Sequence, residues 1–251
     1  MRRWAITLLA VGACAAATGG NFASAADLSL TPIYKAPAAP TPYDWTGFYA
    51  GGHIGGAWDR RDGSVFDEAT GAFLTSGSTQ SGSLTGGGQF GFNYALSRNW
   101  IVGLEADISA ADLQSSANGA PAFGERDNKI DTFGTVRGRF GYTWNNVLLY
   151  GTGGFAWAHE QLARTQQIGA VNLATPGTVE SASGIGTGWV AGGGIEWGIT
   201  PNWVARLEYL HLDLGSQSFT FPLAAQRVDA TATIDTARLG LNYKFNWGWP
   251  R

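Results

Sequence analysis

The sequence predicts an all-β fold: a transmembrane antiparallel up-and-down β-barrel of eight strands. Three observations carry this. Eight segments alternate apolar and polar residues with the period of two that a strand with two unlike faces requires. The connections between these segments alternate between short and long. Ten of the eleven tryptophans fall at the segment ends, where an indole ring, apolar but for one N–H, favours a water–lipid boundary.

Taken in order, residues 1–26 read as an export signal. Arg2 and Arg3 supply the positive start, 4–17 the apolar stretch, and Ala23-Ser24-Ala25 the small-residue cleavage site, with the cut after Ala25 or Ala26. Val11-Gly12-Ala13-Cys14 loosely resembles a lipidation site, but the later site fits better. Cys14 then leaves with the leader, and the mature chain has no cysteine for disulfides or thiol chemistry. Residues 27–43 are rich in Pro and Ala and read as a periplasmic extension. The barrel domain occupies 44–251.

Within it, strands are expected at 45–56, 82–95, 100–111, 130–143, 147–158, 185–198, 203–214 and 231–245, each near or slightly above the ~9–11 residues that cross a bilayer. Three connections are short (96–99, 144–146 and 199–202), and four are long and polar (57–81, 112–129, 159–184 and 215–230). Outer-membrane barrels have short periplasmic turns and long outer loops, and an even strand count leaves both termini in the periplasm. An extra hairpin in the first long loop, at Ala72-Phe73-Leu74, would make ten strands.

Composition agrees. Charged residues are 14% of the chain, against ~25% in soluble domains. The 37 glycines suit a tightly curved sheet. Net charge is −3, or −5 without Arg2 and Arg3. Lysine occurs only at 35, 129 and 244, so there is no basic run to bind nucleic acid. Apart from the leader, no segment has the ~18 consecutive apolar residues of a membrane helix.

Trp45, Trp100, Trp144, Trp197, Trp203, Trp247 and Trp249 mark the short-turn end of the barrel. Trp58, Trp157 and Trp189 mark the long-loop end, and together the two sets read as aromatic girdles. Alternation then assigns the faces. Ile130, Val136, Phe140 and Tyr142 point outward, opposite Asp131, Arg137 and Arg139. Trp100, Val102, Leu104 and Ile108 oppose Glu105 and Asp107, and Ile195 and Trp197 oppose Glu196. Leu207 and Tyr209 oppose Arg206 and Glu208. Leu239, Leu241, Tyr243 and Phe245 oppose Arg238, Asn242 and Lys244. The inward set is thus Glu105, Asp107, Asp131, Glu196 and Glu208 against Arg137, Arg139, Arg206, Arg238 and Lys244. A charge on the lipid face costs ~2–4 kcal/mol at mid-bilayer, so these residues belong inside. Eight strands leave room only for side chains, and a balanced set there reads as an ion-pair plug in preference to a pore lining.

Residues 45–54 (WTGFYAGGHI), FGTVRGRFGY at 133–142, LLYGTGGFAWA at 148–158, NWVARLEYLHLDLG at 202–215 and RLGLNYKF at 238–245 together resemble a known family. It is the small outer-membrane β-barrel proteins of alphaproteobacteria, often labelled "porin family", which includes surface antigens and haem-binding surface proteins. The resemblance covers most of 43–245 and implies an eight-stranded barrel inserted by the barrel-assembly machinery, whose signal is a terminal aromatic residue. Phe245 holds that place, although this chain continues as Asn-Trp-Gly-Trp-Pro-Arg.

Chemistry is sparse. Gly86-Gly87-Gly88-Gln89-Phe90-Gly91 matches a dinucleotide fingerprint, but within a strand and without the βαβ context the motif needs. His53, His159 and His211 fall toward the outer ends of upward strands and read as rim residues; haem capture there is the minor alternative. The residues two positions after each histidine are Gly55, Gln161 and Asp213, so the His-x-Ser pairing of lipid-modifying barrels is missing. Glu105 and Asp107 read as ion-pair partners and not as an acid–base couple. The loop clusters Asp59-Arg60-Arg61-Asp62 and Glu125-Arg126-Asp127 read as solvated surface. The expectation is a monomeric, non-enzymatic outer-membrane protein with no metal and no cofactor. It would contact outer-membrane lipid and lipopolysaccharide, and its role would be structural and interfacial: stabilising the envelope and presenting its exposed loops to the outside. A small-solute channel and a haem- or ligand-binding surface protein are the alternatives.

Overall fold

The computed structural model describes residues 43–118, 125–165, 179–222 and 225–245; the export signal, most of the 27–43 extension, Trp247 and Trp249 lie outside them. Eight strands follow in order: β1 (Gly47–Asp67), β2 (Phe73–Ala95), β3 (Trp100–Asn118), β4 (Glu125–Trp144), β5 (Val147–Thr165), β6 (Val179–Gly198), β7 (Trp203–Phe221) and β8 (Gln226–Lys244). Each pairs antiparallel with its neighbours, and β8 closes on β1. Phe73 and Leu74 open β2, not an extra hairpin, so the strand count is eight.

Every strand runs further outward than its apolar pattern suggests, so much of the expected loop sequence is strand. The first long loop shrinks to the connection 68–72. There Thr70 donates from its N–H to Asp67 Oδ1 (2.8 Å), and Gly71 takes a φ of +69°. The cause is a change of solvent along the strand. Between Phe48 and Trp58, ten residues at ~3.3 Å each and a tilt near 40° span about 25 Å, the height of a lipid band. Over that height the outside is apolar: Ile54, Leu84, Leu104, Leu149 and Leu239 are exposed. Above Trp58 the outside is water, and the pattern inverts. Arg60, Asp62, Ser76, Ser78 and Gln80 are exposed, while Ala57, Leu212, Leu214 and Ile234 are buried inside.

The interior is therefore layered. Trp45, Ile101, Leu148, Tyr150 and Val204 form a floor at the short-turn end. A charged layer follows, then an apolar one containing Phe133, Leu210, Leu212 and Ile234. Asp59, Arg61 and Glu160 come next, all buried. Val65, Leu162, Phe219, Phe221 and Val228 close the top.

The three short turns share one device. Asn99, Asn146 and Asn202 each donate from Nδ2 to a carbonyl on the next strand pair, those of Thr143, Gly198 and Lys244, at 2.9–3.1 Å. Each also accepts the N–H of that same residue at 2.7–2.8 Å. Asn145, at φ +55°, supplies the left-handed residue of the two-residue β4–β5 hairpin.

Bulges interrupt the outer half. The register shifts between Ala110 and Leu113 in β3, between Ile130 and Thr132 in β4, and between Asp213 and Ser216 in β7. The β2–β3 ladder ends at Thr85–Ala111, and the β6–β7 ladder at Trp189–Asp213. The other six ladders continue to the strand tips. The cylinder thus opens outward into two four-stranded sheets, β7-β8-β1-β2 and β3-β4-β5-β6.

Candidate functional site

The charged layer is built from the register upward. Glu105 lies directly across from Arg137, Glu196 from Arg206 and Glu208 from Arg238. Opposite charges on one face of an antiparallel pair attract, and here that face is the inside of a narrow tube. Each pair therefore also meets charges from across the lumen. Arg137 bonds Glu208 Oε1 at 2.9 Å and Asp107 Oδ2 at 3.0 Å, and also reaches Glu105. Arg206 holds Glu105 at 2.5 Å, and Arg139 holds Glu196 at 2.5 Å. Arg238 spans Asp107 (3.0 Å) and Glu208 (2.7 Å).

Neutral groups complete the layer. Tyr49 donates to Glu105 at 2.6 Å, Tyr150 donates to Glu208 at 2.8 Å, and Thr135 donates to Asp107. The Arg139 guanidinium lies 4.0 Å from the Tyr150 ring centroid. His53 sits beside Gln89 (2.6 Å) and Ser109 (2.9 Å), and Gln89 donates to Asn242 at 2.6 Å. All eight strands contribute. The side chains of the four arginines and four carboxylates are 0–3% exposed, so they are almost wholly enclosed.

Two members of the expected inward set lie elsewhere. Asp131 occupies the β4 bulge, which reverses the alternation. Ile130, expected outside, is buried in the lumen, while Asp131 faces outward and accepts from His159 Nδ1 at 3.0 Å. Lys244 points inward but at the floor, where Nζ donates to the Asp44 carbonyl and sits 5.1 Å from the Tyr43 ring centroid. Burial, with help from the negative charges of Glu196 and Asp44, pushes the Tyr43 phenol up to about 12.

The girdles also need correction. Trp58, Trp100, Trp144, Trp189, Trp197 and Trp203 are outward and exposed, and Trp157 packs outward against Gly134. Trp45 is buried in the floor, tilted on Tyr43 at 4.7 Å, so it seals the lumen and does not meet lipid. Trp247 lies outside the described residues. Phe245 is exposed, packs edge-on against Tyr243 and donates its N–H to Phe48, extending the closing seam.

The histidines are not three equivalent rim residues. His53 is buried in the charged layer, whereas His159 and His211 face outward, each against an aspartate (Asp131 and Asp235). Among the described residues, no group of three His, Cys, Asp or Glu is placed to hold a metal ion. Sequence reasoning missed Tyr49, Tyr150 and Gln89; Tyr49 shares parity with the buried Asp59 and Arg61 and Tyr150 with the buried Glu160, whereas β2 carries no charge to mark Gln89. It also missed Asp59, Arg61 and Glu160, because their segments read as loops. Asp59 and Arg61 pair at 2.9 Å and are no solvated surface. Two open clefts, of about 580 and 460 Å³, lie on the outer wall above the girdle, lined by residues such as Asp62, Phe66 and Ser76, and Trp58, Arg60 and Gln80.

Known proteins resemble this chain. A family model described as "Outer membrane protein beta-barrel domain" matches residues 6–245. The 31 kDa outer-membrane immunogenic protein of Brucella melitensis is 32% identical over 237 residues, covering 92% of this chain and 96% of that protein. The 22 kDa outer membrane protein of Rhizobium leguminosarum is 32% identical over 213 residues, covering 84% and 82%. The crystal structure of OprG from Pseudomonas aeruginosa is 16% identical, with a TM-score of 0.42, and covers 80% of this chain and 96% of its own.

Proposed function

This chain belongs to the outer membrane protein beta-barrel family, and from that premise we propose that it is a closed, non-enzymatic anchor that presents its outer half at the cell surface. The observation that carries the reading is the eight-charge layer, drawn from β3, β4, β6, β7 and β8, completed by neutral groups of the other three strands and leaving almost no surface to water. Ions crossing the lumen would have to break several bonds made inside a low-dielectric space, where removing one partner of a buried pair costs about 3–5 kcal/mol. The apolar layers above and below the charges add to the seal.

The lipid band and its aromatic borders hold the barrel upright among outer-membrane lipid and lipopolysaccharide. Phe245, directly after the closing strand, serves as the assembly signal, and the protein acts as a monomer. The test is conductance in a planar bilayer, using protein shown to be folded by its resistance to unfolding in detergent. Silence at all voltages is expected. Reproducible single-channel steps would overturn the closed-anchor reading in favour of a solute channel.

A further inference from the structure

We propose, resting on the reading of the outer half as a presenting surface, that the outer wall at Trp58 is a saccharide-binding site. Its occupant is the sugar headgroup of a neighbouring lipopolysaccharide in the same leaflet.

Two glycines place the indole. His211 of β7, Asp235 of β8, Trp58 of β1 and Gly82 of β2 form one row across four strands. A Cβ on Gly82 would meet Trp58 Cδ1 at 3.1 Å, and one on Gly56, two residues down the strand, would meet Cη2 at 3.1 Å. Both contacts are tighter than side chains normally make. Because neither position carries a side chain, the ring lies along the wall instead of standing away from it. The residue is still 52% exposed. An apolar ring face open on one side suits the C–H face of a sugar, while the sugar hydroxyls remain for polar partners.

Those partners lie just above the ring. Arg60 and Gln80 face each other across β1 and β2, and with Trp58, Gly82 and Asp235 they line the cleft of about 460 Å³. Asp235 is fixed by its neighbours. Its Oδ1 accepts from Tyr209 Oη at 2.6 Å and lies 2.8 Å from His211 Nδ1. Its Oδ2 takes no bond among the described residues, and the side chain is 39% exposed. A held carboxylate oxygen accepts hydroxyl protons in charge-assisted bonds, and the Arg60 guanidinium and the Gln80 amide supply donors. An apolar plane with a few convergent polar groups is the make-up of a small-ligand site.

The β4–β5 wall carries similar components already satisfied. Trp157 packs on Gly134, and Asp131 Oδ1 meets His159. There Oδ2 is taken as well, by Gln161 at 3.2 Å, and Trp157 is half-buried. Only the Trp58 wall pairs an open ring with an unused acceptor.

Height selects the occupant. Ile54 and Leu84 lie below Trp58 on the same wall, exposed to lipid. A lipid whose chains cover them brings its headgroup to the cleft, and the headgroup of lipopolysaccharide is a sugar. A glycan arriving from outside would first have to displace it.

The experiment uses the full barrel in detergent micelles, with 5-fluorotryptophan in place of tryptophan, and deacylated lipopolysaccharide as a water-soluble probe. The Trp58 fluorine resonance is identified by its loss in Trp58→Phe. A saturable shift is expected at Trp58, with none at Trp144 and Trp203 at the short-turn end. Asp235→Asn keeps an acceptor for Tyr209 and removes the charge, and it should weaken binding at least about tenfold. Gly82→Ala, whose Cβ displaces the ring, should weaken it by about threefold or more. Both variants should keep the parent's detergent resistance.

A Trp58 signal that stays in place, or moves in step with Trp144 and Trp203, would overturn the proposal, because the ring would then be girdle alone. Affinity indifferent to Asp235→Asn would overturn it too. So would equally tight binding of a dextran of the same length, which would make a free glycan as good an occupant. Conductance steps would defeat the closed-anchor reading separately, because the Trp58 signal is read on the outer wall and does not depend on whether the lumen conducts.

Discussion

Strand β1 makes opposite use of its two faces below and above Trp58. Below, Ile54 faces lipid and the inside holds Tyr49 and His53 in a polar layer. Above, Arg60 and Asp62 face water and the inside turns to Val65, with Asp59 and Arg61 as a buried charged pair beneath it. The backbone is the same extended ladder throughout, so the difference comes from the medium outside. In lipid, polar groups find partners only across the lumen. In water, apolar side chains are the ones that gain by turning inward, as in any soluble sheet.

The sharpest way to break the lower half is Arg137→Ala. It leaves Glu105, Asp107 and Glu208 each without one of its cations, and an uncompensated buried charge costs about 3–5 kcal/mol. Urea unfolding in lipid vesicles should fall by that amount, and the cavity should admit ions where the parent protein is silent. A loss below about 1 kcal/mol would mean that the layer is wet and that its charges are screened.

In the outer half the matching change is Leu212→Ala, which empties a fully buried site beside Leu210, Leu214 and Ile234. The loss should be about 2–5 kcal/mol by the same measurement, with no conductance because the charged layer beneath is untouched. This contrast tests whether the two halves are stabilised by different physics. An Ala variant that conducts would place the seal in the apolar layer instead.

The outer wall gives a smaller test of where the medium changes. Leu239→Arg, midway between Tyr243 and Asp235 on the outward face of β8, should cost ~2–4 kcal/mol. Thr231→Arg, on the same face above the girdle, should stay within about 0.5 kcal/mol. Equal costs at the two positions would move the lipid boundary outward.

This inversion also explains what could be read in the sequence. The apolar-out pattern marks the membrane-level strands to within a few residues, and parity finds eight of the ten expected lumen charges in one layer. The same rule fails at Asp131, because a single bulge residue exchanges the faces and leaves no trace in composition. It fails at Asp59, Arg61 and Glu160 because a strand that is polar outside and mixed inside looks like a loop. Trp45 misled because an indole also fills a barrel floor, and spacing does not separate the two uses.

The smallest loss expected of a destabilising change concerns the break between the halves. Gly215 sits in the β7 bulge with φ +67°, its N–H donating to Asp213 Oδ1 at 2.9 Å. A Cβ there would meet only Thr187 O at 3.7 Å, so a side chain is opposed by backbone conformation and not by crowding. Gly215→Ala should cost ~1–2 kcal/mol, the left-handed penalty, and Gly215→Asn less, because Asn tolerates that region. If the bulge sets where β7 leaves β6, both variants should speed exchange near Trp189–Asp213 in that same order, while Arg137 and its partners keep their protection. An Ala variant as stable as the parent would mean that the bulge relaxes at no cost. The division into two sheets would then rest on the apolar layers alone.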